Sequence, residues 1–408
     1  MLGNMRFFEL LQVAIGKREC LTSCLTDEEW DSLCSECEKH CILGIAFVGI
    51  QKLPKEQMPP SELYAKWQKD AQTEKERREQ VTEICRKACE THEKNGFDSC
   101  VLMPSPIQVR GERLEVRVLP GEVSDEGFEF RGGDPNDVDI LCWSKDKKDG
   151  KRTIVEYVNF QYIASTKHIK PKVVRNDIDF ESGNIPVEVR FKSEYLNNPW
   201  YNSRFENWVR EKVDRVRPPE SPCVGGRDEV RGEGLERPSK SPCIGRLAEL
   251  PAEFFVVYQL VHLYKKLFCE GIRLGHLVEY YYTLREFSVE RLEVRAQSEE
   301  VRGERLEIMR VIERLGMKKF AGSVMYVLQT VFGMPDEYLI CKPDARHGSF
   351  VLKMLTLAGE YTRHIERTRT LSHLGRLGHH LYWLKRNRPF ITQYPAEVLF
   401  ELYRRIKG

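Results

Sequence analysis

Between Asp98 and Phe191 the chain abandons the helical hydrophobic period that governs both its flanks. There it breaks into short runs rich in β-formers, SCVLM, DVDILCW, TIVEYVNFQYIA and IPVEVRF, separated by Gly, Pro and Asp-rich turns. Before this stretch, FFELLQVAIG, then DEEWDSLCSECEKH with Thr26 as N-cap, then a long charged segment from Ser61 to His92 all carry helical spacing. After Pro251 the apolar residues return to helical spacing, with Phe254, Val257, Tyr258, Val261, Tyr264 and Phe268 on one face and Leu274, Leu277, Val278 and Tyr281 on the next. A β-rich insert between helical flanks predicts an α+β fold with a small mixed sheet.

The 408 residues exceed the usual size of one compact unit, and the pattern divides them into an N-terminal helical region (1–95), an α/β core (96–216), a linker (217–247) and a C-terminal helical domain (248–408). Three stretches resemble one another: VRGERLEVR from Val109, EVRGEGLER from Glu229 and EVRGERLEI from Glu300. Their spacing is unequal and their content is mainly Arg, Glu and Gly. They therefore read as polar insertions, near 104–118, within the linker and near 290–307, and not as solenoid repeats. Limited proteolysis is expected to cut first between Arg217 and Arg246 and to leave two fragments.

Sixty-four basic and 62 acidic residues leave a formal charge of +2, so no global field draws the chain to nucleic acid. Apolar runs such as CILGIAFVGI from Cys41 are too short for a bilayer span, and no secretory leader is recognisable, which predicts a cytoplasmic protein without membrane contact. The thirteen cysteines fall mostly within helical patterns, as reduced thiols do. Cys34 and Cys37 have Cys-x-x-Cys spacing, but with Cys41 they read as one buried helical stripe, and no second ligand pair follows to complete a zinc site.

The sharpest chemical feature is NDVDILCW. On a strand, Asp137 and Asp139 point the same way, about 7 Å apart, while Val138, Ile140 and Cys142 face the other side. Two carboxylates on one exposed face suit a hard divalent cation such as Mg²⁺, which binds through a few carboxylates and substrate phosphates. In IPVEVRF, Val187, Val189 and Phe191 share one face and Glu188 and Arg190 the other, so a pairing of the two strands would make Glu188 a third acid. Without a cation such acids repel, and amide replacement of Asp137 or Asp139 is expected to leave the metal-free protein as stable as before or slightly more so. Lys167 and His168, between the two strands, are within reach of a phosphate. The Tyr280–Tyr282 run reads as helix packing ahead of a base-stacking platform.

An Asp-x-Asp strand followed about fifty residues later by a strand bearing one acid resembles the polymerase-beta-like nucleotidyltransferases. More closely, the chain resembles a bacterial family of uncharacterised nucleotidyltransferases. The likeness runs through ELLQVAIGKREC, EEWDSLCSECEKHCILGIAFVGIQKL, NDVDILCW, IPVEVRFKSEYLNNPWYNSRFENWV, VVYQLVHLYKKLFCEGIRLGHLVEYYYTL and MKKFAGSVMYVLQTVFGMPDEYLI. It implies a nucleotidyltransferase core between helical regions, with Asp137, Asp139 and Glu188 holding Mg²⁺ or Mn²⁺ and acting in catalysis. It further implies a nucleoside triphosphate as substrate and in-line transfer of its nucleotidyl group to an acceptor that the sequence does not identify. Gly121, in LPG, stands near the place of the family's phosphate-binding turn, although Pro120 replaces the usual lysine and has no N–H to offer. Asn136 replaces the glycine before Asp137, and Arg190 stands where histidine is common. Gly121, Lys167, His168 and Arg190 are the candidate nucleotide-binding residues. The alternative is a non-catalytic relative that binds nucleotide or protein.

Overall fold

The computed structural model describes residues 6–94, 97–103, 138–144, 172–174, 177–182, 185–191, 193–216, 250–269, 271–292, 298–355 and 373–407. The chain opens with α1 (Arg6–Ala14), α2 (Asp27–Lys39) and α3 (Leu43–Lys52). Thr26 caps α2 as its sequence predicts: its hydroxyl accepts from the Glu29 amide at 3.3 Å, and the Glu29 carboxylate accepts from the Thr26 amide at 2.9 Å. The helix stops at Lys39, and Cys41 beyond it takes a left-handed φ of 54°. The cysteine stripe is therefore shorter than expected. Cys34 and Cys37 are buried on the helix, whereas Cys41 belongs to the turn that follows. That turn is set by close approach, because the Gly275 amide donates to the His40 carbonyl at 2.9 Å and a Cβ on Gly275 would lie 2.8 Å from the Cys41 carbonyl oxygen.

The charged stretch after Ser61 forms one helix, α4 (Ser61–Lys94), whose 34 residues extend about 50 Å. Trp67 and Ala71 in its first half join the core of the helical body, and Val81, Cys85 and Cys89 in its second half lie under the sheet. Among the described residues five strands, β1 (Phe97–Met103), β2 (Val138–Ser144), β3 (Lys172–Val174), β4 (Asp177–Ser182) and β5 (Ile185–Arg190), form a sheet in spatial order β1-β2-β5-β4-β3. Among these strands β2 and β5 pair in parallel and the other neighbours are antiparallel. The expected alternation holds, since Val138, Ile140 and Cys142 of β2 and Val187 and Val189 of β5 pack with Val81, Cys85 and Cys89 of α4.

The opposite face was expected to be exposed, and most of it is covered: Asp139 is buried, and Glu188 at the rim keeps part of its surface open. Cys100, Leu102 and Leu141 on that face belong to the same apolar cluster as the helices of both ends of the chain. These later helices are α5 (Pro199–Val216), α6 (Ala252–Cys269), α7 (Leu274–Leu292), α8 (Ser298–Arg314), α9 (Lys318–Phe332), α10 (Ala345–Leu355), α11 (His373–Asn387) and α12 (Pro395–Lys407). α6 is buried almost all round, as its run of apolar residues requires; Phe254 stacks on Trp208 of α5 with centroids 5.3 Å apart. The N-terminal helices dock on the same core: Phe8, Leu11, Phe47 and Trp67 share it with Phe320, Leu328 and Phe332, and the Gln12 side chain donates to the Val331 carbonyl at 2.8 Å. The two helical flanks are thus a single helical body lying across one face of the sheet.

One insertion also differs from its sequence reading. The copy beginning at Glu300 lies within α8, a helix and not a loop, with Gly303, Leu306 and Glu307 exposed and Ile308 buried. Glu307 faces solvent, Glu304 and Arg305 are half-buried, and the helix is anchored by Ile308, the last residue of the repeat, with Val311 and Ile312 beyond it. The other two copies and the tract from Arg217 to Arg246 lie outside the described residues. Among the described residues no helix is long and apolar enough to cross a membrane.

Candidate metal centre

The parallel pairing of β2 and β5 places Asp139 directly opposite Glu188, and Leu141 opposite Arg190. The two acids that the sequence nominated from separate strands therefore stand side by side, on the face turned away from α4. They differ in exposure: the Asp139 side chain is wholly buried, while the Glu188 side chain keeps 39% of its surface at the rim. Asp137, Gly121, Lys167 and His168 lie outside the described residues. Of the sequence candidates, the structure brings together Asp139, Glu188 and Arg190.

Arg190 joins these acids. Its Nη2 donates to Asp139 Oδ1 at 2.9 Å and also to Glu188, and its Nη1 donates to Glu194 Oε1 at 3.3 Å. The arginine is buried, so burial works against its charge. Asp139 first, then Glu194, outweigh that cost and hold its pKa well above the ordinary value. The expectation that the acids stand together without a cation in the metal-free chain does not hold for Asp139 and Glu188, and Asp137 lies outside the described residues. Arg190 supplies the cation, and amide replacement of Asp139 removes a partner from a buried guanidinium instead of relieving repulsion.

Sequence reasoning missed the second half of the cluster. Glu194 sits just past β5 with no exposed surface, and three groups of α6 converge on it. Lys265 Nζ lies 2.6 Å from its Oε1, His262 Nδ1 lies 3.2 Å from its Oε2, and the Tyr258 hydroxyl accepts from its amide at 3.3 Å. Burial pushes the Glu194 carboxyl up, but Arg190, then Lys265 and His262, hold it well below the usual carboxylate range. The signal was present: Tyr258, His262 and Lys265 follow at spacings of four and three, which puts them on one face of the helix. The apolar periodicity of α6 hid that face, and nothing in the sequence pairs it with Glu194.

Ligating atoms of Asp139, Glu194 and His262 all lie within 4.8 Å of one another. Two ligands on opposite sides of an ion at roughly 2.1–2.4 Å are themselves about 4.2–4.8 Å apart, so one metal ion could touch all three. Asp139 Oδ2 adds a second indication, because it is buried without a hydrogen-bond partner among the described residues, and such an orphaned anionic oxygen invites a cation. A separate group, Cys34, Glu38 and Asp70, has comparable spacing on α2 and α4. Burial and then Glu38 push the Cys34 thiol up to about 11, so the thiolate that a metal needs is disfavoured there. Tyr280 and Tyr281 are packed inside the helical body, in keeping with the packing role expected of them.

No family model, curated protein or solved structure matches the chain.

Proposed function

We propose that the chain is a metal-dependent nucleotidyltransferase, in which Asp139 and Glu188, with Asp137 two residues before the first, hold Mg²⁺ or Mn²⁺ against a nucleoside triphosphate. One observation carries this reading: the parallel pairing of two short strands sets Asp139 against Glu188, beside an Asp139 oxygen that lacks a partner among the described residues. The donor set is oxygen-rich and suits a hard divalent ion. A bound ion would offset the charge that develops on attacking and leaving oxygens in an in-line displacement at the α-phosphate. Glu188, at the exposed rim, is the acid placed to accept a proton from an incoming hydroxyl, and Asp139, buried behind it, is placed to fix the ion. Gly121, Lys167, His168 and Arg190 remain the proposed contacts to the triphosphate.

A second reading has its own observation. Arg190 and Lys265 already neutralise Asp139 and Glu194, and together they bind the end of β5 to α6. On that reading the chain is a non-catalytic relative and the cluster is a structural clamp. Thermal denaturation with each nucleoside triphosphate, with and without Mg²⁺ or Mn²⁺, separates the two. A transferase gains stability only when nucleotide and metal are both present; a clamp gains none.

A further inference from the structure

We propose that Arg190 is a tethered counter-cation standing in the place of a divalent metal ion, so that the arginine and an ion held by Asp139, Glu194 and His262 occupy the two shared carboxylates, Asp139 and Glu194, alternately. The inference shares with the reading above a metal ion at Asp139, here completed by Glu194 and His262, and does not rest on nucleotide transfer. The guanidinium of Arg190 touches the carboxylates of Asp139, Glu188 and Glu194 at once, as a central ion would. Its side chain is only 3% exposed, so its charge is directed at buried partners and not at solvent. Asp139 uses one oxygen on Arg190 and leaves Oδ2 buried with no partner among the described residues. A guanidinium presents donors in one plane and leaves that oxygen unmet, whereas an ion can approach from the unfilled side.

The two cations cannot share the site at low energy. A divalent ion among Asp139, Glu194 and His262 would lie within a few ångströms of the arginine in a buried, low-dielectric setting, where like charges repel strongly. Arg190 has somewhere to go. It is the last residue of β5, and Glu188, to which it is also bonded, opens to solvent at the rim. A guanidinium swung toward that rim remains paired with Glu188 and faces outward, where it can meet an anionic ligand bidentately. Lys265 does not need to move, since it holds Glu194 from the α6 side and lies over the Tyr195 ring, 4.6 Å from its centroid. With two carboxylates and an imidazole as donors, the vacated site suits Mn²⁺ better than Mg²⁺, because imidazole is a poor ligand for the harder ion.

The test uses the full-length protein and Mn²⁺ alone, without nucleotide, with bound metal read by electron paramagnetic resonance and stability by thermal denaturation. Arg190→Gln should melt below the unsubstituted protein in chelator, recover stability on addition of Mn²⁺, and bind Mn²⁺ about tenfold or more tightly than the unsubstituted chain. Arg190→Lys keeps one charge in a shape that cannot span three acids. Its affinity should fall between the two, and it decides the matter if the glutamine variant does not fold. Adding Asp139→Asn to either variant should abolish the gain. The proposal is overturned if the folded variants bind Mn²⁺ no more tightly than the unsubstituted protein, or if the gain survives Asp139→Asn. A failure of nucleotide binding in the unsubstituted chain leaves this outcome untouched, so the two readings fail separately.

Discussion

Lys265 and Glu194 offer the sharpest energetic test of the buried cluster. Replacing Lys265 with Met keeps the apolar stem but removes an ammonium 2.6 Å from Glu194 Oε1, in a group with 19% of its side chain exposed. Glu194 retains Arg190 at 3.3 Å and His262 at 3.2 Å, so the loss should be that of one charged hydrogen bond, about 2 kcal/mol. Glu194→Gln is more severe, because it strips the shared anion from two cations at once, and a cost of about 3–5 kcal/mol follows from breaking buried pairs. Once Glu194 is neutral, Lys265 has lost its partner and its removal should cost little. The double variant should therefore be more stable than the sum of the singles implies, by about 2 kcal/mol. Urea unfolding followed by tryptophan fluorescence measures all four corners of the cycle. Additivity to within about 0.5 kcal/mol would refute the pairing and with it the tie between β5 and α6.

Gly275→Ala should destabilise by about 1–3 kcal/mol in the same assay, since the new Cβ would meet the backbone carbonyls of Cys41 at 2.8 Å and His40 at 3.1 Å; an unchanged midpoint would mean that this approach is not rigid. Glu397, buried on α12, is raised from 4.5 to about 7 by burial, against hydrogen bonds from the Asn197 and Asn198 amides, with Glu401 adding to the rise. Because the folded state holds this proton more tightly than the unfolded chain, the contribution is present below about 4.5 and is lost as pH rises through about 7, by up to about 3 kcal/mol. Glu397→Gln should flatten that part of the stability–pH curve relative to the unsubstituted protein, and identical slopes would contradict the assignment. Cleavage between Arg217 and Arg246 should yield a nicked protein that stays together in gel filtration, because Trp208 and Phe254, one from each side of the cut, stack within a shared core; separate fragments would show that core to be dispensable.

What the sequence could reveal depended on whether each feature was local. The capping of α2 at Thr26, the length of α4 and the alternation that sorts Val138 and Ile140 from Asp139 are all set by residues a few positions apart, and all are legible. The union of the two helical flanks was not, because periodicity marks an apolar face without naming its partner; Leu11 and Leu328 carry no mark of belonging to one core. The site divides in the same way. Asp139 and Glu188 could be paired on paper because both sit on strands with clear facing, and their registry follows from parallel pairing. Glu194 and Lys265 are 71 residues apart on a loop and an otherwise apolar helix, and their contact is a product of tertiary packing. Arg190 was visible as a residue but not as the cation of the cluster, because charge on a strand does not reveal which acids it will meet.

The central claim is metal-dependent nucleotide binding at Asp139, and calorimetric titration of a nucleoside triphosphate blocked at its α,β-bridge measures it most directly. The unsubstituted protein should bind the analogue in the presence of Mg²⁺ or Mn²⁺ and lose that binding in chelator. Asp139→Asn, confirmed as folded by circular dichroism, should lose it in both conditions. Binding that is indifferent to metal, or that persists at full strength in Asp139→Asn, would contradict the account and leave the buried cluster as a structural clamp.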